Sequence, residues 1–407
     1  MKRAGALFLS IFIILIQSSA PAFADYQLQD SIKEFGEKRW IKTGPTRIKA
    51  GPLRIHPYLK TKFEFDDNVY LSHSKARKDF VFDVAPGAVI EIPIDRHQVT
   101  VGYEGDIETL AINSTQNTQD QHFFALGDFN FPSWYLNVLE KLDITSDRAG
   151  TTFTSRIPRI DQLVNPKLGY RWKRMTFEGG FRQFIRDFQR TVDKPFDFQE
   201  RAWTGVLYYD LFARLKALAD YTFSQIEYPG AHTRNSHLNQ GRIGLEGELM
   251  PDLTAKVRVG PQFRTYRYKD RHDFNSWVAV ADVTYKWRKN WRFEIDFSRE
   301  AIEATFMDVN YYLRHGIRGV IEYKFRPRWV VAQEFRYDRD NYAERATVDD
   351  RNGYRHDNNF YAKTGVRYLF REWMEVELAY EWYRRNSNFS VLTYNDDRVS
   401  LTSFLRY

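Results

Sequence analysis

No cysteine occurs among the 407 residues. A disulfide framework, a c-type haem attachment and a lipoprotein acylation site are therefore excluded. Charge of one sign is not in great excess either. The 60 Lys and Arg face 53 Asp and Glu, and the formal +7 is spread along the chain. Without a basic patch, nucleic acid is not an expected partner. Long apolar runs are missing after the first residues, so no spanning helix of roughly 18 apolar residues can be drawn. Mean hydropathy is negative, which a β-barrel tolerates because every second residue faces water.

Residues 1–24 read as a secretory signal: Lys2 and Arg3, an apolar run at 7–16, and Ala22-Phe23-Ala24 before the cleavage point. Residues 25–52 read as a periplasmic arm with a short helix, Leu28, Ile32 and Phe35 recurring at helical spacing.

What fills the rest is alternation. In the stretch 277–297, Trp277, Ala279, Ala281, Val283, Tyr285 and Trp287 share one side, and Asp282, Thr284 and Lys286 the other. After Arg288-Lys289-Asn290 the pattern resumes with Trp291, Phe293, Ile295 and Phe297 against Arg292, Glu294 and Asp296. A period of two is a β-strand, and a tight turn between two such runs is an antiparallel hairpin. Similar faces recur from Leu53 to Tyr407, predicting about eighteen strands, with sixteen as the alternative. The fold class is all-β, a transmembrane antiparallel β-barrel over 53–407. Tight turns (Asp95-Arg96-His97, Lys173-Arg174, Arg371-Glu372 and others) alternate with longer polar stretches such as 113–120, 145–161, 187–198, 339–357 and 384–397. Short periplasmic turns and long extracellular loops are the habit of outer-membrane barrels.

Trp134, Trp172, Trp287, Trp291, Trp329 and Trp373 all stand beside tight turns, where an aromatic membrane girdle belongs. Val399, Leu401, Leu405 and Tyr407 share a face at the C-terminus, and Leu405 with Tyr407 reads as a signal to the barrel-assembly machinery. Glu140, Gln333 and His315 fall on expected lipid faces and predict register breaks, bulges or interface positions.

The water-facing side carries the candidate substrate track. Its cations are Lys167, Arg171, Arg182, Arg242, Arg258, Arg264, Arg314, Arg318 and Arg367. Tyr266, Tyr312 and Tyr361 join them. Arginine binds carboxylate in a bidentate fork, and rings give sugars apolar faces to slide on. Interleaved Glu178, Glu246, Glu294, Glu322, Glu334 and Glu377 offer the plainer reading, cross-strand pairs that stiffen the wall. No H-E-x-x-H, G-x-S-x-G or phosphate loop is present. No catalysis, metal or cofactor is expected.

The stretches Pro57-Tyr58-Leu59, Phe65-Asp66-Asp67-Asn68-Val69-Tyr70, Val84-Ala85-Pro86-Gly87 and Val101-Gly102-Tyr103-Glu104-Gly105-Asp106 resemble the β-barrel porin type 2 family of Gram-negative bacteria. The Asp66-Asp67-Asn68 segment itself reads as a strand-ending Asx turn in preference to a Ca²⁺ site. The resemblance implies an outer-membrane barrel without catalytic residues, linked to surface polysaccharide. Expected functions are passage or export of an anionic exopolysaccharide, general or sugar-selective diffusion, or a non-conducting scaffold for a periplasmic export complex. Expected partners are outer-membrane lipid and lipopolysaccharide, the barrel-assembly machinery and periplasmic polysaccharide-export proteins.

Overall fold

A computed structural model describes residues 48–148, 156–268, 272–306 and 309–407. The expected signal segment and the arm up to residue 47 lie outside them. Each alternating run forms a strand. A short β1 (Ile48–Ala50) lies on β2 (Leu53–Asp66). There follow β3 (Asp79–Ile94), β4 (His97–Leu110), β5 (Thr118–Asn130), β6 (Trp134–Thr145), β7 (Arg159–Trp172) and β8 (Met175–Phe188). The next are β9 (Phe198–Phe212), β10 (Leu215–Glu227), β11 (Ser236–Met250), β12 (Leu253–Tyr266), β13 (Phe274–Trp287) and β14 (Trp291–Phe306). The last are β15 (Val309–Arg326), β16 (Trp329–Val348), β17 (Arg351–Arg371), β18 (Met374–Ser387) and β19 (Tyr394–Arg406).

Every neighbour in sequence pairs antiparallel, and β19 pairs back onto β2 with Leu401 opposite Phe63 and Leu405 opposite Leu59. The sheet is a closed barrel of eighteen strands, β2 to β19. Closure satisfies the backbone groups that a free edge would leave bare, which hydrocarbon does not forgive. The Tyr407 N–H donates to the Pro57 carbonyl at 3.0 Å, extending the seam to the last residue.

The two faces differ as the alternation requires. Phe63, Phe335 and Leu378 are 59%, 58% and 55% exposed on the outside, while Arg314 and Asp340 are 3% and 0% exposed inside. A soluble protein would reverse that assignment. One end of the barrel has only tight connections, and Asp95, Lys173, Asp252 and Arg288 take positive φ there. At that end the outward rings pack on one another: Trp291 on Tyr323 at 4.2 Å and Trp329 on Tyr368 at 4.6 Å.

Three residues from the stretches that carried the family resemblance meet in one register row. Tyr58 faces Gly87, and Gly87 faces Glu104. The Tyr58 ring lies across the glycine, where a Cβ would stand 2.2 Å from it, and its hydroxyl donates to Glu104 at 2.9 Å. The same device recurs on β6 to β8, where Tyr135 crosses Gly169 to donate to Glu178 at 2.5 Å. The ring fills what the glycine leaves open and ties three strands together.

Segment 339–357, expected to be a long loop, is strand instead. β16 and β17 run for 20 and 21 residues and meet at Asp349-Asp350, both with positive φ. A transmembrane strand needs roughly 9–11 residues, so this hairpin projects well beyond the membrane. There the outward face meets water in place of lipid and the apolar alternation fades, while the inward face stays buried: Tyr342 and Ala346 pack with Ile302, Val309 and Tyr312, and Arg355 pairs with Asp357. For Glu140 the structure removes the register break and the bulge and leaves the interface position. Its ladder is unbroken on both sides, opposite Ala125 and Val164, so it is an exposed carboxylate in regular register and not a bulge. Gln333 also stays in register and accepts from the Thr364 hydroxyl at 2.5 Å.

Candidate lumen site

The arginines of the expected track point inward, and most are held by carboxylates of the wall. Arg314 grips Asp340 with two bonds of 2.7 and 2.9 Å. Arg318 sits between Asp296 at 2.8 Å and Glu334 at 2.6 Å. Arg367 reaches Glu377 at 3.0 Å, and Arg182 reaches Glu200 at 2.6 Å. Arg242 and Arg258 share Asp220 at 3.0 and 3.4 Å, and Arg258 also reaches Glu246 at 3.3 Å. All but the Arg258–Asp220 pair, which spans from β12 over β11 to β10, bridge neighbouring strands, as the wall-stiffening reading expects. Each guanidinium still has five N–H donors, more than one carboxylate takes up.

The remaining track residues are placed differently. Arg171 is exposed at the tight-turn end, its guanidinium 4.8 Å from the Tyr135 ring, and Lys167 is half-buried four residues higher. The three tyrosines are buried among other rings. Tyr312 lies tilted against Tyr342 at 4.9 Å and Tyr361 against Tyr383 at 4.7 Å, and Tyr266 stacks on Tyr311 at 6.2 Å. They build the inner packing and offer no open face for a sugar in this state. The six girdle tryptophans all face outward beside tight turns, Trp172 the most exposed at 50%. Asp66-Asp67-Asn68 is the expected Asx turn, the Asn68 N–H donating to Asp66 at 2.8 Å. Asp66 and Asp67 also lie beside Asp396 across the closing seam, but Arg398 already pairs Asp66 and Asp396 at 3.2 and 2.5 Å.

A chamber of about 150 Å³ lies in the loop half of the lumen, and the path of β14 creates it. β13 and β14 pair from Trp287 and Trp291 only as far as Ala279 and Arg299. Beyond that point β14 continues to Phe306, pairing with β15 alone. Arg299 closes the resulting split by donating to the Trp277 carbonyl and to Ser276. The freed end of β14 turns inward: Ala301, with Tyr311 of β15, packs on Tyr266, Phe274 and Val278 of β12 and β13. Five guanidinium groups line the chamber, Arg182, Arg186, Arg234, Arg242 and Arg264, against the carboxylates Glu200, Glu300 and Glu303.

At its centre the Glu303 carboxylate accepts from Arg264 and, at 2.7 Å, from the Tyr228 hydroxyl. Tyr228 lies in the loop after β10. Burial holds its phenol well above the ordinary value, with Arg234 opposing and Glu303 adding to the rise, so the hydroxyl keeps its proton to donate. Arg234 ends the single 3-10 turn His232–Arg234 and lies 4.2 Å from the centre of the Tyr228 ring. It donates through Nη2 to the Ala304 carbonyl.

The sequence reading missed Arg234, Tyr228 and Glu303. Residues 227–236 look like any polar loop, and nothing in a period of two marks Arg234. One signal was present: Ala301-Ile302 sets two apolar residues side by side and breaks the alternation, as a segment covered on both faces does.

The structure is similar to that of the outer membrane protein OpdK from Pseudomonas aeruginosa, at 10% identity over 87% of this chain and 99% of that one, TM-score 0.47. It is similar to P. aeruginosa OpdQ at 11% identity, 88% and 100% coverage and TM-score 0.48. Acinetobacter baumannii OccAB4 gives 12% identity, 89% and 100% coverage and TM-score 0.47. No curated protein matches the chain. A family match covers residues 191–407, the part that holds most of the chamber lining and not the N-terminal stretch on which the resemblance was drawn. With more than half its length matched, this eighteen-stranded barrel belongs to the outer-membrane porin family described as "Putative beta-barrel porin 2".

Proposed function

We propose that the protein conducts anionic solutes across the outer membrane, with an acidic exopolysaccharide on its way out as the preferred cargo. The observation that carries this reading is the climb of guanidinium groups up one inner wall. Arg258, Arg242 and Arg264 stand at successive depths on β12 and β11, and Arg234 follows at the loop end. Arg258, Arg264 and Arg234 each keep a donor without a partner, which makes several weak stations and no tight trap, as passage demands. Family and fold are those of channels, so binding and passage are the chemistry to look for.

Planar bilayers provide the test. The reconstituted barrel conducts, its reversal potential in a KCl gradient shows anion preference, and oligogalacturonate blocks the current. Arg258→Ala relieves that block. Conductance indifferent to oligogalacturonate would leave a diffusion porin and remove the polysaccharide cargo. One observation favours a second reading, a non-conducting scaffold: Lys62, Glu64, Asp83, Lys363 and Glu381 are buried against one another within the lumen. Absence of any conductance would support it.

A further inference from the structure

We infer that Arg234, Arg264 and Tyr228 form a carboxylate-binding site, and that Glu303 of the same chain occupies it here as a stand-in for the ligand. The inference deepens the channel reading by naming the ligand class of this chamber. It depends on that reading only for how the ligand arrives.

Three observations carry it. First, the donors are built in: Arg234, Arg264 and Tyr228 are 2%, 4% and 2% exposed. Second, they are more than one carboxylate can satisfy. Arg234 Nε and Nη1 and Arg264 Nε have no hydrogen-bond partner, and no carboxylate pairs with Arg234 among the described residues. Wall arginines of similar burial, such as Arg314 and Arg367, each have one. An unsatisfied buried guanidinium is costly and calls for an explanation. Third, the acid that fills the site is carried on a segment that has left the wall. Beyond Arg299, β14 has lost β13, so Glu303 rides on a hairpin attached on one side only.

An incoming carboxylate would take the Glu303 position on Arg264 and Tyr228. Displacing Glu303 also frees the neighbouring Ala304 carbonyl from Arg234, whose donors then turn to the same anion. The space of about 150 Å³ fits one sugar-sized or benzoate-sized acid and not a folded chain. Two sources share this chemistry: a free small organic acid, and a single uronate unit of a polymer.

The full chain in detergent micelles is titrated calorimetrically with galacturonate, oligogalacturonate and neutral galactose. Glu303→Gln keeps the shape and removes the competing charge. It is expected to raise galacturonate affinity about tenfold, the order of effect for one charge-assisted contact released from competition. Arg234→Met abolishes that gain in the double variant, and galactose binds neither. Heat-modifiable gel mobility confirms that each variant is folded. Equal affinity for monomer and oligomer identifies a free acid as ligand; tighter oligomer binding identifies a polymer unit. Galacturonate affinity unchanged in folded Glu303→Gln, or a gain that survives Arg234→Met, overturns the site. Binding without conductance would refute the channel and leave the site standing, so the two failures are distinct.

Discussion

Two buried arginines in the same lumen have opposite surroundings. On β15, Arg314 is 3% exposed and makes two bonds to Asp340, itself 0% exposed, while Asn359 donates to the same aspartate at 3.0 Å. In the loop after β10, Arg234 is 2% exposed and donates to one backbone carbonyl. The first stands on a strand whose register row, Glu300 to Arg314 to Asp340, supplies a carboxylate. The second stands on a loop that no register row serves. The difference teaches that burial alone does not separate structural from functional arginine in a barrel. In this pair the origin of the partner separates them: the β15–β16 register sets Asp340 opposite Arg314, whereas Arg234 comes from a loop and meets a backbone carbonyl.

The largest effect that sharpens this contrast is at the wall. Asp340→Ala leaves a buried guanidinium without its counter-charge and is expected to cost about 3–5 kcal/mol in urea unfolding from lipid bilayers. A loss under about 1 kcal/mol would show the wall pairs to be solvated ornaments. The smallest effect is at the chamber. Arg234→Met removes a charge that has no carboxylate partner, so stability in the same assay changes by less than about 1 kcal/mol or rises. A loss comparable with Asp340→Ala would make Arg234 a structural member and erase the contrast.

Much of the barrel was legible in the chain. Trp277 to Phe297 gave a hairpin that folds as β13 and β14, and the outward rings beside Arg288-Lys289-Asn290 stand where their spacing put them. Lipid on one side and water on the other impose alternation, and alternation is visible in a string of letters. Legibility failed where that asymmetry stops. Beyond the membrane the outward Arg339 meets water and the inward Asp340 a polar interior, so both faces are charged and 339–357 reads as loop although it is strand. The chamber failed for a second reason. Arg264 sits on a periodic strand and was found, but Arg234, Tyr228 and Glu303 meet only because one loop and a detached strand end converge. Tyr58, Gly87 and Glu104 are an intermediate case: visible as motifs, and explained only by the register that lines them up.

The claim beneath all of this is that the two sides of each strand see different solvents. Because the chain has no cysteine, single substitutions give clean probes. Leu401→Cys and Thr402→Cys on β19, spin-labelled in liposomes, are the direct measurement. Collision with dissolved oxygen should dominate at 401, and collision with a water-soluble nickel chelate at 402. Equal nickel accessibility at both positions would mean that water reaches both faces, and the membrane barrel would be refuted.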